Sequence, residues 1–425
     1  ENHAELGAQL RERGHTFTSA TDTEVLAHRI EELRRDGLDL VTAVRATLGE
    51  VRGAFALAVM DSSEPDVIVA ARRISPLIVG TSSGATFLAS DVPAILDRAD
   101  RFFVVSDDQV VRLTPDGFTV TDLDGAPMSL HELDVDWDLE TAQKGGFDDF
   151  MTKEMHEQPD ALRATLLDRV SSHGDITFDE MTVSDGDLAA ASKVVLVACG
   201  SSYHAAMVAK YAIERWARIS VEVDIASEFR YRDPVVDRST LVIGVSQSGE
   251  TIDTIQALRE AKSRGALVVA VSNVVDSSMA READAVLYTR AGLEGCVAST
   301  KAVLAQIAAL ELLALRLAQL RQSMSPQDIA QRLSELQGVP DLVAQTLQRD
   351  HAVADIAAAL RDTRDFFFLG RHVGYPTALE GSLKLKELAY MHAEGFAAGE
   401  LKHGPIALIE EGTPVIAIMP TFHSP

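Results

Sequence analysis

Cysteine is nearly absent from this chain. Cys199 and Cys296 are its only two in 425 residues, and they form no CxxC pair. A disulfide-built scaffold is excluded, and a reducing, cytoplasmic setting is expected. Positive charge is also scarce. Lys and Arg number 39 against 64 Asp and Glu, for a formal net charge of −25. That balance argues against a nucleic-acid partner or an anionic-membrane surface, but not against a small anion held by backbone N–H groups. No HExxH occurs and no Gly-x4-Gly-Lys-Ser/Thr, so neither a metal nor a nucleotide-type cofactor is expected. No signal peptide is visible. The most apolar stretch, residues 302–320, contains Gln306, Glu311 and Arg316, and so reads as a buried or interface helix, not a membrane span.

What is present is a globular composition, 46% apolar and 24% charged, long enough for two or three domains. Its most informative segment is Ser246-Gln247-Ser248-Gly249-Glu250-Thr251. An apolar run, Leu241–Val245, precedes it and a helical pattern from Ile252 follows. Strand, hydroxyl-rich glycine loop and helix together make a phosphate cradle. The loop offers backbone N–H groups, the helix N-terminus carries partial positive charge, and the side chains add donors. Without a phosphate-facing lysine or an obvious metal acid, a sugar phosphate suits the loop better than a nucleoside triphosphate. An ordinary turn before a capped helix is the other reading.

Residues 1–137 read as α+β: a helical stretch over Thr23–Leu48, then short strands between 54 and 113 separated by turn formers. An acidic, glycine-containing linker is expected over 134–148. From Lys193 strands alternate with helices, which implies a doubly wound parallel sheet with ligands at the carboxyl ends of its strands. The pattern then repeats. Cys199-Gly200 has a counterpart in Leu369-Gly370, Ala226-Ser227-Glu228-Phe229 in Ala398-Gly399-Glu400-Leu401, and Leu241–Val245 in Pro414–Ile418. The second copy stops where its own Ser246-type loop is due, so both ends are expected to be cuts inside folded units.

Taken in order, SATDTEV (19–25), KEMHEQP (153–159), CGSSY (199–203), ASEFRYR (226–232), SQSGET (246–251), VASTK (297–301), ALEGSLKLKEL (378–388) and GELKHGP (399–405) resemble the glutamine–fructose-6-phosphate aminotransferase (isomerizing) family. The resemblance runs over essentially the whole chain. It implies a truncated N-terminal-nucleophile (class II) glutaminase α+β domain over 1–137 and a linker with lead-in helices over 138–185. Two SIS-type doubly wound parallel-sheet domains follow, over 186–325 and, truncated, over 358–425, with helices 326–357 between them. The implied activity moves the amide nitrogen of glutamine to fructose 6-phosphate and isomerises the product to glucosamine 6-phosphate, an early step toward cell-wall amino sugars. A homodimer with shared active sites is implied as well.

The resemblance also implies roles for residues. Ser201, Ser202, Ser246, Gln247, Ser248 and Thr251 would hold the sugar phosphate. Glu387 would shuttle the proton, with Lys384 three residues earlier on the same helix face as a supporting charge; a solvated ion pair is the plainer reading of that pair. Glu380 is a weaker candidate. His403 would open the sugar ring, supplied from the neighbouring subunit. Val297 would line the sugar site, while Ser299 or Thr300 could simply cap the next helix. Asp22 would bind the amino group of glutamine, unless it or Thr21 is a helix cap. The family's N-terminal nucleophilic cysteine and the lysine of its C-terminal tail have no counterpart between Glu1 and Pro425, so this stretch alone is expected to be inactive. Three other readings stand beside this one: a plain SIS-type sugar-phosphate isomerase, which leaves residues 1–137 unused, a phosphosugar-binding regulator, and a glutamine-dependent deglycase relative, against which the KLKE and ELKHGP segments favour the aminotransferase.

Overall fold

A computed structural model of the chain describes residues 1–133, 135, 144, 146–171 and 174–420. The chain forms two compact units, Glu1–Gln143 and Lys144–Pro425. Most of the expected acidic linker, including Asp134, Asp136, Asp138 and Gly145, lies outside the described residues.

The first unit opens with helices α1 (His3–Glu12), α2 (Glu24–Arg35) and α3 (Leu40–Glu50). The single helix expected over Thr23–Leu48 is therefore two. Gly37 takes φ +95°, a left-handed conformation open to glycine, and the N–H of Leu38 closes back onto the carbonyl of Leu33. Asp39 then starts α3 by accepting the N–H of Thr42. Strands follow: β1 (Phe55–Met60), β2 (Ile68–Arg73), β3 (Ile78–Ser82), β4 (Ala85–Ala89), β5 (Arg101–Val104), β6 (Val110–Thr114), β7 (Gly117–Thr121), β8 (Pro127–Met128) and β9 (His131–Leu133). They build two antiparallel sheets, β1-β2-β6-β7-β8 and β4-β3-β5-β9. Alternation along β2 explains the layering. Val69 and Ala71 pack with Ile30, Val44 and Leu48 of the helices, whereas Ala70 faces Val79, Phe103 and Val105 of the second sheet. The layers run helices, sheet, sheet.

The second unit begins with α4 (Phe150–Leu166) and α5 (Asp185–Ala190). A doubly wound segment follows: β10 (Lys193–Ala198), α6 (Gly200–Trp216), β11 (Ser220–Ile225), α7 (Ala226–Tyr231), β12 (Thr240–Ser246), α8 (Ile252–Ser263), β13 (Leu267–Ser272), α9 (Ser278–Glu282), β14 (Ala285–Tyr288) and α10 (Lys301–Leu320). The sheet is parallel in the order β11-β10-β12-β13-β14. Its strands are near-continuous apolar runs because both faces are covered. Val194, Leu196, Leu241 and Ile243 pack under α6 and α10, and Val195, Val197, Val242 and Val268 under α7 and α8. Helix α10 is apolar and long enough to cross a membrane, yet 67% of its apolar window is buried inside this unit, as a core helix would be.

Helices α11 (Pro326–Leu347) and α12 (Asp350–Leu360) lead to β15 (Asp365–Gly370), α13 (Gly374–Ala389), β16 (His392–Ala397) and β17 (Val415–Ile418). These strands are parallel in the order β16-β15-β17. The order repeats β11-β10-β12, so the punctuation seen in the sequence reflects one topology used twice.

Candidate phosphosugar site

From β10 the chain turns to β11 on one side and later to β12 on the other. The gap between β10 and β12 is thus a topological switch point, where open parallel sheets take their ligands. Register sets the floor of this gap: Ala198 lies opposite Val245, and Ser246 opposite Ser272. Both glycine loops expected to hold phosphate leave the sheet here.

The Ser246 loop is tied together and tied down. Ser246 is buried, its hydroxyl 2.9 Å from that of Thr251, and it accepts the N–H of Gly249 at 3.1 Å. Ser248 accepts the N–H of Glu250. From behind, Asn273 donates its N–H to the carbonyl of Gln247, Met279 to that of Gly249, and Ser278 to the carboxylate of Glu250. Gly249 adopts φ +66°, and a Cβ there would overlap Ser277 and Ser272, so glycine is required. Gln247, Ser248 and Thr251 stay partly exposed at the mouth.

The first loop is committed differently. Ser202 accepts the side-chain amide of the buried Gln306 at 3.0 Å. Ser201 donates to Glu380 Oε1 at 2.7 Å, and His204 Nδ1 lies 2.7 Å from Glu380 Oε2. Glu380 sits on α13 of the second copy, so the weaker sequence candidate is what fastens that helix to the first turn of α6. Burial works against its charge. The bonds from His204 and Ser201, together with the charge of Lys384, outweigh burial and hold the carboxyl below its usual range.

Lys384 and Glu387 meet on one helix face, as their spacing requires, with Nζ 2.6 Å from Oε2. Lys384 also lies 3.5 Å from Glu380, making a row of acid, base, acid along α13. His403 is exposed in a short 3-10 turn (Glu400–His403), and no ion pair or hydrogen bond joins it to the other candidates among the described residues. Val297 is fully exposed.

Neither Ser299 nor Thr300 caps α10 with its side chain. Glu294 does so instead, accepting the N–H groups of Thr300 and Ala302 and the hydroxyl of Ser299. The KEMHEQP and VASTK segments serve this corner too. Lys301 is buried and paired to Glu157 at 2.7 Å, and buried Glu154 accepts the N–H groups of Gly295 and Cys296. Burial raises the carboxyl of Glu154 and both thiols above their ordinary ranges, so neither cysteine is poised as a nucleophile.

In the first unit Asp22 is exposed just ahead of α2. Neither it nor Thr21 caps that helix: Thr23 holds the cap position and makes no side-chain cap bond. The carboxylate that organises the segment is Glu24, which accepts the N–H and hydroxyl of both Thr18 and Ser19. These bonds bring Glu24 down to about 2.

The SIS domain model matches residues 187–316 and again 359–424, and the glutamine amidotransferase domain model matches residues 1–97. The chain thus joins an amidotransferase domain to paired SIS domains. Over 421 residues it is 51% identical to the glutamine–fructose-6-phosphate aminotransferase (isomerizing) of Streptomyces coelicolor, covering 99% of this chain and 68% of that one. The Mycobacterium tuberculosis H37Rv enzyme of the same name is 50% identical over 429 residues, covering 99% and 69%. Among solved structures, the C-terminal domain of glucosamine-fructose-6-phosphate aminotransferase from Francisella tularensis superposes with a TM-score of 0.64 at 41% identity, covering 66% of this chain and 79% of that one. The chain belongs to the glutamine–fructose-6-phosphate aminotransferase (isomerizing) family.

Proposed function

We propose that this chain carries the sugar-phosphate site, and part of the glutamine site, of an enzyme that moves the amide nitrogen of glutamine to fructose 6-phosphate, yielding glutamate and glucosamine 6-phosphate. The observation that carries the reading is the Ser246–Thr251 loop, braced at the β10/β12 switch point. Ser246, Gln247, Ser248 and Thr251 hold the phosphate, with Ser201 and Ser202 beside them. Glu387 moves the proton between adjacent sugar carbons, and Lys384, paired with it at 2.6 Å, is the supporting charge. His403 opens the ring from the partner subunit of a homodimer, Val297 lines the sugar, and Asp22 receives the amino group of glutamine. The domain limits follow as 1–137, 186–325 and 358–425, in a cytoplasmic protein.

Two experiments test this. Titration calorimetry of the 425-residue chain is expected to show binding of fructose 6-phosphate and none of fructose; equal response to both removes the phosphate reading. Amide transfer is read in a chimera that replaces the matching segment of the Streptomyces coelicolor relative with this chain. Glucosamine 6-phosphate should form from glutamine and fructose 6-phosphate, and the Glu387→Gln chimera should lose it. A Glu387→Gln chimera at full rate refutes the base assignment.

A further inference from the structure

Three side chains of the first unit converge on one another. His15 follows α1 and is folded back by its N–H to the carbonyl of Leu10, with Gly14 at φ +94° making the turn. His28 and Glu31 lie one turn apart on α2. His15 Nδ1 is 3.2 Å from His28 Nδ1, and Glu31 Oε2 is 3.9 Å and 3.7 Å from the two nitrogens. Both imidazoles are largely buried, with side chains 8% and 19% exposed. Phe17 stands edge-on to His28 and Arg11 covers Phe17, closing the inner side. Glu31 is 47% exposed, so the outer side is open to water.

We propose that His15, His28 and Glu31 bind a divalent transition metal ion, Zn2+ foremost, with water as the fourth ligand. The dimensions carry the inference. The point equidistant from the three atoms in their own plane lies about 2.1 Å from each, the length of a zinc–imidazole bond, with the water above that plane. The donor set selects the ion class. Two imidazoles and one carboxylate suit Zn2+ or Co2+, whereas Ca2+ and Mg2+ require oxygen ligands throughout. The two Nδ1 atoms, 3.2 Å apart, require a proton or a cation between them.

A second observation points the same way. His28 Nε2 is buried and makes no hydrogen bond, although Glu24 Oε1 stands 3.4 Å away. A metal on Nδ1 fixes the proton on Nε2 and makes it a stronger donor, and Glu24 Oε1 is the carboxylate that would close from 3.4 Å to become the outer partner that metal-bound histidines take. Glu24 is the residue that gathers Thr18 and Ser19. The ion therefore fixes His28, His28 fixes Glu24, and Glu24 fixes the start of the segment that carries Asp22. Two ligands come from α2 and the third from the turn after α1, so the set matches no metal motif in sequence.

The test uses the chelator-stripped 425-residue chain. Equilibrium dialysis with Zn2+ is expected to give one ion per chain, and Co2+ should give the intense visible absorption of a four-coordinate site. His15→Gln and His28→Gln should each weaken binding by about 100-fold, and Glu31→Gln, which changes an exposed side chain and spares folding, by about 10-fold. Amide exchange over residues 18–24 should slow when Zn2+ is added, and Mg2+ should leave it unchanged. No stoichiometric ion, or binding untouched by Glu31→Gln and by either histidine change, overturns the proposal.

Discussion

Glu311 sits half-buried on the most apolar helix of the chain. Burial alone pushes its carboxyl from 4.5 up to about 7. The folded chain therefore holds this proton over a range where the unfolded chain has released it. The sign follows from that difference: stability is undiminished below pH 4.5, falls as pH rises toward 7, and is flat above. The full shift corresponds to about 3 kcal/mol at the 1.36 kcal/mol that each pH unit carries, and partial contact with water brings the expected cost to about 1–3 kcal/mol. Glu311→Gln removes the titration. Urea unfolding at pH 5 and pH 8 reads the effect through Trp216, which packs beside the same core cluster, in a Trp137→Phe background that leaves one indole. Carboxylates common to parent and variant cancel in the difference. The variant should gain little at pH 5 and about 1–3 kcal/mol at pH 8. A gain that does not change with pH, or a loss at pH 8, would show that Glu311 has a partner or full hydration and refute the reasoning.

Gly249→Ala forces a Cβ to within 2.5 Å of Ser277 Cβ and 2.7 Å of Ser272 Oγ at a left-handed φ; fructose 6-phosphate affinity should fall by at least about 10-fold by calorimetry while the far-ultraviolet circular dichroism is unchanged. Glu294→Ala strips the N-terminal cap from α10 and should cost about 1–2 kcal/mol in urea unfolding, with Glu294→Asp, one methylene short of the same N–H groups, in between. Glu380→Ala leaves Ser201 and His204 without their acceptor and should cost about 1–3 kcal/mol, whereas Lys386→Ala, exposed on the same helix, should stay within about 0.5 kcal/mol.

The parts of the fold that were legible in the sequence are those written in local patterns. Lys193–Ala198 and Leu241–Val245 read as strands because both faces of a parallel sheet are apolar. The family resemblance placed the glutaminase-type and SIS regions together because eight short segments kept their order. The break at Gly37 was missed because Leu33, Leu38, Leu40 and Val41 continue a helical periodicity across it. Strands β7, β8 and β9 were missed because they are short, and β8 and β9 are mostly exposed and so lack an apolar alternation. Glu380 was ranked low because the groups that define it, Ser201 and His204, lie 179 and 176 residues away. Glu294 caps α10 from six residues before Thr300, farther than the usual cap spacing reaches. The His15, His28 and Glu31 cluster shows no motif because a turn, not a helix, delivers its first member.

The bracing of the Ser246 loop has a consequence for how this scaffold can change. Its back is held by main-chain groups of residues 273, 278 and 279, which almost any side chain at those positions would still provide. Its front consists of a few hydroxyls and an amide. On the proposed function the loop is a fixed origin of coordinates, and the residues proposed to read the rest of the ligand lie elsewhere: Lys384 and Glu387 on α13 of the second copy of the fold, and Val297 in the lead into α10. Anchor and reader can vary separately. Exchanging α13 between relatives offers a way to alter which sugar is accepted while the phosphate grip is left alone.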